Sequence, residues 1–168
     1  GRPTIEELVE ERENNGIYLD IKDFITRNVE NDLNKRAIEN FIKAGALDSL
    51  GGTRKQYISV YAAIVDNVQS EKKKSMTGQM TLFDLVSEEE KESFSIRLPE
   101  VGEYSKEMML SLEKEVLGIY VSGHPLEEYE AFWRKNITAT TSDFSLDEEA
   151  NTVAIEDGAS VVIGGMVA

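Results

Sequence analysis

Apolar residues recur along this chain at helical spacing, in short blocks separated by glycine, proline and small polar residues. Pro3 suits a first helical turn, Thr4–Asn14 continue it, and Gly16 stops it. Asp20 is placed to cap a short helix carrying Ile21, Phe24 and Ile25. Leu33, Ala37, Ile38, Phe41 and Ile42 predict a further helix ended by Gly45. Thr53 reads as the next N-cap, and Tyr57, Val60, Tyr61, Ile64 and Val68 form a stripe beyond it. From Gln69 to Lys106 no period is sustained, and Pro99 and Gly102 interrupt the chain, so this stretch reads as linker. A helix is predicted from near Ser105, burying Met108, Met109, Leu112, Val116, Leu117 and Tyr120 and stopping at Gly123. Pro125 restarts a helix with Leu126, Tyr129, Phe132 and Trp133. After a Thr/Ser/Asp-rich loop, "TVAIEDGASVVIGGMV" predicts two strands around an Asp-Gly turn.

The fold class is therefore mainly α, with one or two β-strands at the end. The expected organisation is a helical region over 1–68, a linker over 69–104, a helical segment over 105–136, a loop over 137–151 and a β region over 152–168. In the linker, Met80, Leu82, Phe83, Leu85 and Val86 stand among charged and small residues. Solvated segments do not gain by carrying large apolar side chains. These residues either pack on this protein's own body or fit a partner's groove.

Composition narrows the chemistry. There is no cysteine, hence no disulfide frame, thiolate zinc site or cysteine nucleophile, and a reducing compartment is favoured. One histidine cannot build a histidine-rich metal site. His124 lies between Gly123 and Pro125 and reads as the joint between two helices; Trp133 reads as core. No apolar run approaches the length of a membrane span, and the charged start is no signal peptide. Because the chain opens without methionine and stops within a β-like pattern, it reads as a fragment of a longer protein. The net charge of -14 argues against nucleic acid until its distribution is seen. Before Ser75 there are 12 basic and 13 acidic residues, which leaves 6 of the 18 basic and 19 of the 32 acidic residues for the rest. Contact with a phosphate backbone must come from the first half.

One stretch there could make such contact. "NKRAIENFIKAGALDSLGGTRKQYI" reads as helix, tight glycine-bearing turn, helix. Gly45 tolerates a left-handed backbone. The second helix opens with unpaired N–H groups and a positive dipole end, beside Arg54 and Lys55. Gly45, Ala46, Leu47, Gly51, Arg54 and Lys55 are the candidate backbone-binding residues, gripping phosphate without reading sequence. An ordinary helical hairpin with glycine caps is the other reading of the same pattern.

The stretch resembles the second helix-hairpin-helix of the bacterial replicative DNA polymerase III alpha subunit. That family carries "NKR", then "LIKAGAFDSLG", then an arginine; Asn34-Lys35-Arg36, Phe41–Gly51 and Arg54 match, with departures at Phe41 and Leu47. The likeness continues through "LEKEVLGIYVSGHPLEEY", Leu112–Tyr129, where the family has Glu-Lys-Glu-x-Leu-Gly-x-Tyr-x-Ser-Gly-His-Pro-Leu. It covers most of the chain apart from the linkers and Thr138–Ala150. The resemblance implies that Gly1 closes a first helix-hairpin-helix and that the final strands begin an OB-fold. It also implies a cytoplasmic DNA-directed DNA polymerase as parent, working with other polymerase III holoenzyme subunits. The catalytic carboxylates and their Mg2+ would lie upstream, leaving no catalytic residue, metal or cofactor in this piece.

Within the linker, "QMTLF" resembles the peptide by which bacterial polymerases hold the sliding clamp: Gln79, Met80, Thr81, Leu82 and Phe83. Gln79 offers a donor and an acceptor, while Leu82 and Phe83 suit apolar pockets. Burying those two is worth about 1.5–3 kcal/mol each, and ordering the peptide takes much of it back. The motif alone would bind at roughly micromolar strength, with effective concentration on shared DNA supplying the rest. Two other readings of the whole chain are a DNA-repair protein with a clamp-binding tail and a helical interaction protein without a nucleic-acid role. The Leu112–Tyr129 signature counts against the first, and only the acidic charge supports the second.

Overall fold

Short helices fold onto one apolar seam in the first part of this computed structural model, which describes residues 2–29, 33–76, 97–147 and 152–166. The chain divides into two compact units, Gly1–Tyr120 and Val121–Ala168.

In the first unit, α1 (Arg2–Asn15) ends at Gly16, whose φ of 87° is left-handed. Helix α2 (Ile21–Asn28) is capped by Asp20, whose carboxylate accepts the Asp23 N–H at 2.7 Å. Asn34 caps α3 (Lys35–Lys43) in the same way through the Ala37 N–H at 2.9 Å. A single 3-10 turn, Asp48–Leu50, leads through Gly51 and Thr53 into α4 (Arg54–Met76). Thr53 and Gln56 exchange hydrogen bonds, N–H to side-chain oxygen in each direction, which is a capping box. Ile21, Phe24, Ile25, Leu33, Ile38, Ile42, Leu47, Tyr57, Ile64, Val65 and Val68 close the core.

Helix α4 runs to Met76, so residues expected as linker from Gln69 are helical. Gln69, Glu71 and the lysines after it are good helix formers, and neither Gly nor Pro intervenes before Gly78. Residues 97–104 are not free linker either. Leu98 packs against the core, and the Pro99 carbonyl accepts a hydrogen bond from Gln56 Nε2 at 2.8 Å. Helix α5 (Lys106–Leu117) follows, capped by Ser105. It stops at Gly118, φ 76°, and not at Gly123, because the nearer glycine already closes its last carbonyl ring. Its inward face also differs from the expected one. Leu110 and Glu113 are buried, while Met108 and Leu117 are nearly half exposed.

In the second unit, Pro125 leads into a 3-10 turn, Glu127–Tyr129, and then the short α6 (Glu130–Asn136). Leu126 N–H donates to His124 Nδ1 at 3.1 Å and Glu127 N–H to the His124 carbonyl at 3.0 Å, so His124 closes the joint. Tyr129 and Phe132 are exposed, and Trp133 is half-buried. The expected turn at Asp157–Gly158 forms, with Gly158 at φ 83°. The expected pairing around it does not. Instead β1 (Leu146–Asp147) pairs antiparallel with β2 (Thr152–Val153), and Val162 bonds Thr138 through both its N–H and its carbonyl. Two strands alone are marginal, and no further strand of an OB-fold is present among the described residues. No helix among those residues is long and apolar enough to cross a membrane.

Candidate nucleic-acid interface

The turn between α3 and α4 is built around one side chain. Arg54 opens α4 and is only 4% exposed. Its guanidinium donates from Nε to Asp48 Oδ1 at 3.0 Å and from Nη2 to Asp48 Oδ2 at 2.7 Å. Nη1 donates to Glu113 Oε1 at 2.9 Å and to the Lys43 carbonyl at 3.3 Å. Asp48 first, with Glu113, holds the guanidinium above its usual pKa against the opposing effect of burial. Glu113 is fully buried. Arg54 thus grips the end of α3, the 3-10 turn and α5 at once.

Two glycines exist for the same packing. Gly45 has φ 78°, and a Cβ there would run into the Arg54 guanidinium and the Asp48 carboxylate. A Cβ at Gly52 would strike the Tyr57 ring and Leu98. The Gly52 N–H donates to the Tyr57 hydroxyl at 2.6 Å, and burial raises the pKa of that phenol. Gly51, φ 83°, needs its glycine for the backbone alone, since nothing stands near its missing Cβ.

The first amides of α4 are already occupied by an anion. Glu103 accepts the Arg54 N–H at 2.8 Å and the Lys55 N–H at 3.2 Å through its two oxygens. This corrects the expectation that these N–H groups await a phosphate: a carboxylate from later in the chain satisfies the positive helix end. Of the candidate backbone-binding residues, Ala46, Gly51 and Lys55 are exposed, Gly45 is half-buried, and Leu47 and Arg54 are buried. Lys55 stands 5.9 Å from the centre of the Tyr104 ring. Lys43 is bound by Glu115 at 3.0 Å and Glu39 at 3.1 Å. Arg54 is therefore a support inside the turn and not a finger outside it. Asp48, Glu103 and Glu113 are the members that sequence reasoning missed. The one local signal was Glu113, an acid lying on the same helical face as Met109, Leu112 and Val116.

Gln79–Phe83 lie outside the described residues. Among the described residues no group of acids or histidines is clustered so as to hold a metal ion. The acids at the turn are committed to Arg54 and to helix caps.

Residues 1–57 match the family model of the helix-hairpin-helix motif. The chain is similar to proteins named DNA polymerase III subunit alpha. It is 36% identical to that of Borreliella burgdorferi over 129 residues, 77% of this chain and 11% of the relative. With Mycobacterium leprae the identity is 38% over 126 residues, 75% of this chain and 11% of the relative. With Helicobacter pylori it is 35% over 131 residues, 77% and 11%. The chain thus spans about a tenth of the length of these curated relatives.

Proposed function

Because this chain belongs to the DNA polymerase III alpha family over the residues matched, we propose that it holds the backbone of duplex DNA and tethers a replicative polymerase to the sliding clamp. The observation that carries the first half is the α3–turn–α4 hairpin, which the matched motif covers through the first turn of α4. Ala46, Gly51 and Lys55 face solvent there. Backbone contact at such a turn positions a protein on DNA without reading its sequence. Arg54 serves by keeping the turn in shape.

The second half rests on Gln79–Phe83, a clamp-type peptide placed just after the hairpin in the sequence. Under this reading the parent is a cytoplasmic DNA-directed DNA polymerase that works with other holoenzyme subunits. Under the same reading, nucleotide transfer with Mg2+ belongs to the parent's other regions. The test is fluorescence anisotropy with two unrelated duplexes at several salt concentrations. Similar affinity for both, a steep fall with salt and a loss on Lys55→Glu are expected. A strong preference for one sequence, or no binding to either, overturns the duplex reading.

A further inference from the structure

We propose that Glu113 is a positioning residue for backbone binding: through Arg54 it sets the shape of the turn between α3 and α4. The proposal rests on the duplex-binding reading and deepens it. Glu113 lies well beyond residues 1–57, where the helix-hairpin-helix motif is matched.

Arg54 is the only side chain in the described turn that bonds both its walls, the Lys43 carbonyl on one side and Asp48 on the other. Its position therefore fixes residues 43–48. Asp48 takes Nε and Nη2 but leaves Nη1. Glu113 takes Nη1 from the α5 side, while Nη2, held by Asp48, lies where a Cβ on Gly45 would stand. A second ion pair joins α5 to the other arm of the hairpin, from Lys43 on α3 to Glu115 on α5. Stability alone is a poor reason for this arrangement. A buried ion pair is often matched or exceeded by apolar side chains of similar volume. Its geometry is harder to replace, because a planar guanidinium places several donors in fixed directions. The duplex-binding element then extends from the hairpin to Glu113 on α5.

The experiment uses the full chain with Glu113→Ala, Glu113→Gln, the apolar pair Arg54→Met with Glu113→Leu, and Leu110→Ala as a control that loosens α5 while keeping both members of the ion pair. Duplex affinity, its salt dependence and amide hydrogen exchange at residues 44–55 are measured at a temperature where circular dichroism shows every variant folded. Glu113→Ala and the apolar pair are expected to bind duplex about tenfold more weakly and to exchange faster at the turn, with the slope of log affinity against log salt unchanged. Glu113→Gln keeps an acceptor for Nη1 and is expected to recover most of the affinity. Leu110→Ala is expected to keep both turn protection and affinity. Should Glu113→Ala not fold, the apolar pair decides, because it leaves no buried charge of the pair. Parent-like affinity and exchange in the apolar pair would overturn the proposal. So would equal losses in Leu110→Ala. A salt slope reduced by about one in the apolar pair would also overturn it, by showing Arg54 to be a direct phosphate ligand. If the parent itself binds no duplex, the DNA reading fails separately, and amide exchange alone decides whether Glu113 shapes the turn.

Discussion

Arg54 Nη1 lies 2.9 Å from Glu113 Oε1, across 59 residues of sequence, with both side chains buried. Removing one partner strands a charge inside the protein, whereas removing both does not. Arg54→Ala is therefore expected to cost about 3–5 kcal/mol. Arg54→Met with Glu113→Leu should stay within about 1 kcal/mol of the parent. Urea unfolding of the three proteins measures both. A paired loss as large as that of Arg54→Ala would show that the stranded charge of Glu113 is not the source of the cost.

Gly45 and Gly51 share a left-handed backbone but differ in what surrounds them. Gly51→Ala should lose only the backbone term, about 1–2 kcal/mol. Gly45→Ala should lose that and roughly 2 kcal/mol more, because the new methyl displaces Arg54 from a buried pair. Thermal melts of the two variants give the comparison, with Gly16→Ala as a second position in open space.

Both pH limbs of stability have identifiable contributors. Lys43 first, then Tyr61, holds the Glu39 carboxyl below its usual range. Its contribution is complete above the unfolded pKa of about 4.3 and is lost as pH falls through the lower folded value. Burial pushes the Tyr57 phenol up. Its contribution is complete below the unfolded pKa of about 10 and is lost as pH rises towards the higher folded value. Glu39→Gln should flatten the acid limb and Tyr57→Phe the alkaline one. Melting temperature against pH reports the slopes.

Under the clamp reading, isothermal calorimetry should give roughly micromolar affinity for a bacterial sliding clamp. Leu82→Ala with Phe83→Ala should abolish it. A short duplex that cannot thread the clamp should leave that affinity unchanged, whereas clamp loaded on primed DNA should gain in both contacts. A large change with the short duplex would show conformational coupling and end the tether reading.

The helix starts were legible because their causes are local. Asp20, Thr53 and Ser105 each precede an apolar stripe and each caps in the structure; Asn34 caps as well, although the predicted stripe there begins before it, at Leu33. Arg54 misled because its neighbours in sequence, a glycine turn and a lysine, suit a phosphate ligand equally well. The acid that claims it comes from α5, and nothing near residue 54 announces that. The same holds for Glu103 on the first amides of α4. The charged run after Gln69 was ambiguous because lysine and glutamate serve both solvated linkers and exposed helix. At the end of the chain, alternation predicted strands, but a strand needs partners, and Val162 is bonded to Thr138 instead.

Leu98 returns to the first turns of α4, beside Gly52 and Tyr57, although the chain left that helix at its other end, at Met76. From Tyr57 to Met76 the helix rises roughly 30 Å, at 1.5 Å per residue. The described chain therefore breaks off at Met76 and resumes at Arg97 on one body, at opposite ends of one helix. Scission between residues 76 and 97 should not dismantle the first unit. The piece beginning near Arg97 would stay seated by Leu98, by Glu103 on α4 and by Glu113 on Arg54. A nicked chain should accordingly migrate as one particle until denaturant separates its halves.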